Sequence, residues 1–236
     1  DLKSPALLVF SKTNGFIHKE AIPAAQALYQ QLGESNGWSV YLTENAAVHN
    51  PEALARFDAV VWNNVTGDVL TPEQRSALQG YVENGGGFVA IHGAGGDPSY
   101  AWGWYPQSLI RAQFTAHPMF PQFQEATLNV QSPQDPIVSH LPASFSMTDE
   151  WYSFQQPPKD VEVLLKLDES TYSPKILFHD ISMGKDHPIA WKHCQGKGRV
   201  FYGAPGHLAS TYTDPRYARV LEQATRWAMQ PDPACQ

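Results

Sequence analysis

The sequence, 236 residues long, predicts an α/β protein with a mostly parallel central sheet. Short, continuously apolar runs recur through the first half of the chain, and such runs are typical of parallel strands buried on both faces. Segments with helical spacing of apolar residues separate them, which is the order of βαβ units. The run 88–91 lies between a triple glycine and His92-Gly93, as expected of a buried strand that turns sharply at its tip.

The elements of the first half follow from these patterns. The run Ala6–Phe10 predicts the first strand. Residues 18–32 keep helical spacing, and Gly33 is expected to end that helix. Thr71 precedes Pro72 and stands three residues before Gln74, the signature of a capping box at a helix start. The other predicted elements here are the strands 39–42, 57–62 and 88–91 and the helices 51–57 and 71–82.

The second half is less regular. Residues 97–120 are irregular and aromatic, and residues 124–178 are rich in proline with strands at 124–130 and 161–167. We interpret about 97–180 as an elaboration on the sheet edge within a single domain spanning 1–236. The chain then returns to regular structure, with strands at 189–191 and 199–202 and a closing helix at 215–229. Right-handed crossovers would place helices on both faces of the sheet.

Composition excludes several classes of function. A net charge of −7 argues against binding to nucleic acid or to an anionic membrane surface, both of which attract clustered Lys and Arg. No apolar run approaches the length of a membrane span. Neither a Walker loop nor G-x-G-x-x-G after a strand is present, so no nucleotide cofactor is expected. Only 17% of residues are charged and 12% are aromatic, a balance that favours aromatic faces toward a ligand.

The two cysteines, Cys194 and Cys235, bear on the compartment. They either form a disulfide that pins the C-terminal tail, which would suit a periplasmic or secreted protein, or remain two inert thiols in a cytoplasmic one. The chain begins at Asp1, as expected of a processed or trimmed form, so an export signal is compatible with it. Neither cysteine follows a strand into an elbow, which argues against a cysteine nucleophile.

The predicted strand tips gather polar residues. Ligands of open α/β sheets bind at the carboxyl ends of the strands, where many hydrolases and amidotransferases carry Ser or Cys on a tight elbow. His92 occupies that position here, so we expect proton transfer or metal ligation instead of acyl transfer. The substrate-binding candidates at these tips or near them are Lys12, Thr13, His18, Asn63, Asn64, Thr66, Trp104, Tyr152 and Asp186.

Histidines and one carboxylate supply the catalytic candidates. His92 and His207 enter glycine-rich turns, and His117 and His187 each precede proline. Glu150 lies beside Trp151, where a carboxyl group can have a raised pKa and act as an acid or base. Histidines with a carboxylate can also bind zinc or a similar divalent ion, for which we nominate His92, His117 and Glu150, although no fixed-spacing metal motif is present. His49, His140 and His179 have no favourable context, and we interpret them as surface or satisfied core residues.

The chain resembles the trehalose-utilisation family, the ThuA-like proteins, through ordered matches almost from end to end. The matching segments are 9–18, 61–70, 86–93, Phe114 with His117-Pro118, 149–152, 167–172, 183–191, 198–202 and 206–207. The resemblance implies a class I glutamine amidotransferase-like fold, a flavodoxin-like three-layer sandwich without the cysteine nucleophile. Family members are associated with sugar catabolism, often beside dehydrogenases that make 3-keto-glycosides. Ile17 and Leu208 depart from the family's usual Arg and Thr, so the substrate is expected to differ.

Two hypotheses about function follow. The first is an enzyme that acts on a glycoside or 3-keto-glycoside by elimination, hydrolysis or isomerisation, with His92, His117, Glu150, His187 and His207 as acid and base or as metal ligands. Trp104 and Tyr152 would stack on a sugar face. The alternative is a non-catalytic sugar-binding module. The partner is in either case a small sugar or oligosaccharide, and a homo-oligomer is compatible with the sequence.

Overall fold

The computed structural model describes residues 2–230 and 235, and its centre is a nine-stranded sheet. The strand order is β2-β1-β3-β4-β13-β12-β9-β6-β7. The strands of this sheet are β1 (Ala6–Phe10), β2 (Ser39–Thr43), β3 (Ala59–Asn63), β4 (Gly87–Ile91), β6 (Phe123–Val130), β7 (Ser144–Glu150), β9 (Glu162–Asp168), β12 (Pro188–Gln195) and β13 (Gly198–Gly203). Two small antiparallel pairs flank it: β5 (Phe114–Ala116) with β8 (Ser153–Phe154), and β10 (Lys175–Ile176) with β11 (His179–Asp180).

The prediction of a mostly parallel sheet is confirmed. Strands β2, β1, β3, β4 and β13 are mutually parallel, in the order typical of flavodoxin-like doubly wound folds. The remaining four pair antiparallel beyond β13, and three of them, β6, β7 and β9, lie within the edge elaboration predicted at about 97–180, whereas β12 belongs to the segment after it. Because the four pairings from β13 to β7 are all antiparallel, β7 runs in the same direction as β13. The carboxyl end of β7 therefore lies at the same edge of the sheet as the ends of the parallel strands.

The helices are α1 (Ala21–Asn36), α2 (Pro51–Leu54), α3 (Pro72–Glu83), α4 (Ala209–Thr213) and α5 (Pro215–Ala228). The expectation that Gly33 ends the first helix was wrong, because the chain leaves the helix at Gly37, whose φ is 71°. Gly33 instead permits close packing, since a Cβ there would lie 2.7 Å from a methyl carbon of Val40. The second helix also ends earlier than predicted, at Leu54. The capping box at Thr71 is confirmed.

The core lies on both faces of the parallel strands. Every residue of β1, β3 and β4 is buried, which explains why their sequences are continuously apolar up to the tip. Helix α5 packs against β3, β4 and β13, while α1 packs against β2 and β3. Among the helices of the described residues, none combines the length and the apolar character needed to cross a membrane.

The C-terminal tail is fastened to the sheet. Cys194 on β12 forms a disulfide with Cys235, with the Cα atoms 5.6 Å apart. Of the two states left open by the sequence, the disulfide is the one observed. The remaining tail positions, 231–234 and 236, lie outside the described residues.

His49 is a buried structural histidine. Its ring packs against Phe10, and the indole N–H of Trp62 donates to its Nε2 at 3.2 Å. That nitrogen must therefore remain unprotonated. Burial lowers the pKa of His49 from 6.5 to about 4.

We predict that His49 makes the fold less stable as the pH falls. Below pH 6.5 the unfolded chain takes up a proton at His49, whereas the folded chain does not until about pH 4. The free energy of unfolding should decrease by about 3 kcal/mol across this window. Denaturant unfolding of wild type and His49→Gln at several pH values would measure it, with exposed His140→Gln as the control. Equal pH dependence in wild type and His49→Gln would contradict the prediction.

Candidate functional site

A cavity of about 310 Å³ opens at the carboxyl edge of the sheet. The polar segments that follow β1, β3, β4 and β13 meet there, and β7 brings Glu150 to the same edge. Seven side chains with titratable or hydroxyl groups line it: His18, Thr66, Asp97, His117, Glu150, Tyr152 and His207. His92 lies directly beneath, with its ring stacked on that of Tyr152 at a centroid distance of 4.3 Å.

His92 sits on a strained elbow at the tip of β4. Its φ is 46°, in the left-handed region, and the residue is completely buried. Small residues make the turn possible: a Cβ at Gly93 would lie 2.8 Å from Cε1 of His18, and one at Gly206 would lie 3.0 Å from Cβ of His92. The elbow therefore requires glycine on both sides of the imidazole.

The hydrogen bonds of His92 fix its tautomer. Nδ1 lies 2.6 Å from the carbonyl oxygen of Ala204, so Nδ1 carries the proton and donates. Nε2 consequently presents a lone pair to the site, where the hydroxyl of Tyr152 donates to it at 3.0 Å. Burial raises the pKa of Tyr152 well above 10, so its phenol keeps this proton.

Four side chains form a compact cluster, which we call the His/Glu cluster: His18, His92, Glu150 and His207. One nitrogen or oxygen atom from each lies within 4.8 Å of those of the other three. Oε2 of Glu150 is 3.4 Å from Nε2 of His92 and 3.2 Å from Nδ1 of His207. The two histidine nitrogens are themselves 3.3 Å apart. His117, nominated from the sequence as a metal ligand, lies outside this group, and His18 and His207 belong to it instead.

The electrostatics of the cluster differ from the expectation for Glu150. Burial alone would raise its pKa, but the hydrogen bonds and positive charge that His207, His92 and His117 offer when they are protonated outweigh burial and hold the pKa well below its ordinary value. The raised pKa expected beside Trp151 was therefore wrong. The indole of Trp151 instead donates to the carbonyl of Gln124. Glu150 is accordingly a permanent carboxylate.

His18 contributes a neutral nitrogen to the cluster. Burial and the nearby His92 and His207 together outweigh the opposing effect of Glu150 and lower its pKa from 6.5 to about 2. Within the described residues, its Nδ1 is buried and has no hydrogen-bond partner. An orphaned polar atom in such a place is unusual in a folded protein, and a missing ligand is one physical explanation of it.

His117 is oriented as a proton acceptor on the cavity wall. Its Nδ1 lies 3.0 Å from the carbonyl of Pro118 and 3.3 Å from Oε1 of Glu150. Both partners are acceptors, so Nδ1 carries the proton and Nε2 keeps its lone pair. Gln122 donates to Oε1 of Glu150 from the other side.

Asp149 holds the cluster together from below. Its completely buried carboxylate accepts hydrogen bonds from the backbone of Gly206 at 2.7 Å and of His207 at 3.0 Å, and from the hydroxyl of Thr211 at 2.5 Å. It also accepts from the backbone N–H of Glu150 at 2.8 Å. The end of β7 is thereby joined to the loop that carries His207.

Several candidates from the sequence lie near the site, but they form contacts that stabilise the fold. Asn63 and Asn64 are completely buried, and their amides bond to each other and to Ser11, Ile22 and Tyr212. Thr13 and Thr66 form a bridge between the tips of β1 and β3. Of these four, only Thr66 lines the cavity.

Four other candidates lie away from the cavity wall. His187 is buried between Glu169, 2.7 Å from its Nδ1, and the carbonyl of Tyr152, 2.7 Å from its Nε2. Asp186 pairs with Lys166 on the surface. The indole of Trp104 stacks on that of Trp102. Lys12 does not line the cavity either. Their predicted roles in catalysis or binding stay predictions.

The sequence reasoning did not nominate Asp149, Gln122 or Phe16. Asp149 adjoins the nominated Glu150 in the same motif. Gln122 lies in an irregular segment that carries no motif. Phe16 is 62% exposed at the cavity mouth and was visible only as part of a polar loop.

The fold and the elbow define the class of this protein. It is a flavodoxin-like α/β protein whose elbow at the tip of β4 carries a buried histidine. The chain belongs to the ThuA family, described as trehalose utilisation, whose pattern it matches over residues 6–228.

Solved structures agree with this assignment. A ThuA-like protein of Bacteroides uniformis is 27% identical, with a TM-score of 0.83, and the alignment covers 97% of this chain and 93% of that one. A ThuA-like protein of Parabacteroides merdae is 16% identical, with a TM-score of 0.72 and coverages of 97% and 91%. A β-galactosidase of Rahnella shares the fold over 97% of this chain and 32% of its own, at 12% identity and a TM-score of 0.57. No curated protein matches the sequence significantly.

We predict that Asp149→Asn lowers the free energy of unfolding by about 3 kcal/mol, because an amide nitrogen would face donors that now meet a carboxylate oxygen. Thr211→Val removes a single donor and should cost about 1 kcal/mol. Denaturant unfolding of both variants measures the difference. Equal costs for the two would show that the carboxylate does not organise this loop.

Proposed function

We propose that the chain is an enzyme of sugar utilisation that acts on a glycoside or 3-keto-glycoside by acid–base chemistry. The observation that carries the proposal is the His/Glu cluster, buried at the floor of a cavity with aromatic walls formed by Phe114 and Tyr152. Burying several imidazoles next to a carboxylate lowers the free energy of unfolding. Such clusters are therefore typical of functional sites. The family's association with trehalose utilisation supports a sugar as the substrate.

The His/Glu cluster also fits a divalent metal ion such as zinc. Three neutral imidazoles and one carboxylate are a common ligand set for this ion. Nδ1 of His18 lacks any other partner among the described residues. Nε2 of His92 is directed into the site by the bond from Nδ1 to the Ala204 carbonyl, the usual arrangement behind a metal-bound histidine. A bound metal would supply Lewis-acid stabilisation of an oxygen that becomes negative during the reaction.

The residues can perform an elimination from a 3-keto-glycoside. The ketone acidifies the hydrogen on the ring carbon that lies between the ketone carbon and the anomeric carbon. Nε2 of His117 takes that proton, and the electron pair moves onto the ketone oxygen as an enolate. The pair then returns as a carbon–carbon double bond while the bond to the aglycone oxygen breaks. That oxygen receives the proton back from His117, so the residue ends as it began.

We predict that purified protein binds about one equivalent of zinc or a similar ion. His18→Ala and His207→Ala should each lower metal affinity by at least about tenfold, since each removes a ligand. Plasma mass spectrometry and competition with a chelator would measure this. His117→Ala tests the assignment of ligands and should retain the metal, and exposed His179→Ala serves as the surface control. Unchanged affinity in His18→Ala and His207→Ala would overturn the metal site.

We predict that His117→Ala lowers kcat about 10²-fold or more, because the base is lost while the metal and the fold remain. The assay would incubate the protein with α- and β-linked 3-keto-glucosides and with the unoxidised glycosides, and identify products by mass spectrometry. Elimination yields an unsaturated keto-sugar, and hydrolysis a product heavier by one water. Binding without turnover of any compound would favour the alternative, a sugar-binding module.

The disulfide supports a periplasmic or secreted location, because such bonds persist in oxidising compartments. Rapid alkylation of the protein in intact cells of its source, followed by mass spectrometry, tests this. Protection of Cys194 and Cys235 from the alkylating reagent is the expected result, and full labelling would indicate a reducing compartment.

A further inference from the structure

The mouth of the cavity lacks positive charge. Among the described residues that line the cavity, Asp97 and Glu150 are acidic and none is Lys or Arg. Ile17, in the segment that forms the rim, is apolar and 51% exposed. Away from the floor, no cationic side chain on the wall would neutralise a phosphate or carboxylate on a substrate. The lining therefore disfavours anionic sugars.

Two exposed phenylalanines flank His207: Phe16 lines the cavity, and Phe123 lies beside His207 just outside the lining residues. The ring of Phe123 lies 4.9 Å from the imidazole of His207, and that of Phe16 lies 5.8 Å from it. Phe16 is 62% exposed and Phe123 is 38% exposed. Phe123 is also paired with Glu150 across β6 and β7, so this ring has a fixed position relative to the catalytic candidates.

The loop that carries Phe16 is held rigidly. The backbone N–H groups of Asn14 and Gly15 donate to the carbonyl of Thr66 at 2.8 and 3.2 Å, and the hydroxyl of Thr66 donates to the carbonyl of Phe16 at 2.7 Å. The opposing Gly67 makes room for this contact, since a Cβ there would lie 2.7 Å from the backbone nitrogen of Gly15. An exposed aromatic ring on such a braced loop is pre-organised for a ligand.

We infer that Phe16 and Phe123 form the aglycone subsite, and that the substrates are uncharged glycosides whose aglycone is an apolar ring. This inference rests on the proposed function. The cavity volume of about 310 Å³ is near the lower limit for small-molecule sites, so the sugar ring occupies the interior and the aglycone extends to the mouth. Stacking of the aglycone on the two rings with His207 between them supplies the selectivity.

The test compares matched methyl and phenyl glycosides of glucose and galactose, in both anomers, by isothermal titration calorimetry. We expect the phenyl glycoside of at least one pair to bind about tenfold more tightly than its methyl counterpart. In Phe16→Ala and Phe123→Ala, the preference for the phenyl over the methyl glycoside should fall to between about onefold and threefold. Tyr41→Ala is the matched control, since Tyr41 is an exposed aromatic residue on β2, at the opposite edge of the sheet. The 6-phosphorylated methyl glycoside should bind at least about tenfold more weakly than the unphosphorylated one.

The outcomes separate this inference from the proposed function. Equal affinity for methyl and phenyl glycosides, or an aryl preference that survives in both phenylalanine variants, overturns the aglycone subsite and leaves the proposed function standing. Tighter binding of the phosphorylated sugar overturns the claim that substrates are uncharged. Failure of all of these glycosides and of their 3-keto derivatives to bind overturns the proposed function and this inference together. Thermal melts of the variants verify that the loss of preference is local.

Discussion

The carboxylate of Asp149 ties together two parts of the chain that are distant in sequence. It accepts four hydrogen bonds, from the end of its own strand, from the loop after β13 and from helix α4. Glu150 and His207 lie in the two segments joined in this way, so their separation of 3.2 Å depends on this buried charge. The rest of the His/Glu cluster assembles around that pair. A single anion beneath the site thus sets the geometry of the groups above it.

The hydrogen-bond partners of the histidines show which of them can act as a base or a metal ligand and which cannot. His92 and His117 both have Nδ1 on a backbone carbonyl, which leaves Nε2 of each with a lone pair. His187 is different, because both of its nitrogens face acceptors and its ring is enclosed between Glu169 and Tyr152. It is therefore suited to hold Tyr152 in place. Residues that look alike in the sequence are distinguished here by a few contacts.

The sequence was sufficient for the fold and for part of the site. Glycine-bounded apolar runs identified the parallel strands, and the rule that ligands bind at strand tips led to His92. Glu150 was found because a carboxylate stood among aromatic residues. The juxtaposition of Glu150 with His207 could not be derived, because it depends on the register of four antiparallel pairings across long irregular segments. The predicted direction of the Glu150 pKa shift was wrong for the same reason, because the histidines that lower this pKa are remote in sequence.

The elbow at the tip of β4 has an evolutionary consequence. Its left-handed backbone depends on the lack of side chains at Gly93 and Gly206, and the imidazole adds a hydrogen bond from Nδ1 to the carbonyl of Ala204. The main chain of the elbow therefore places the side chain at position 92 directly beneath the cavity. A thiol or a hydroxyl group at this position would keep the glycines of the elbow but would lose the hydrogen bond to Ala204. Divergent chemistries on one architecture need only a change at this position and a compatible set of neighbours.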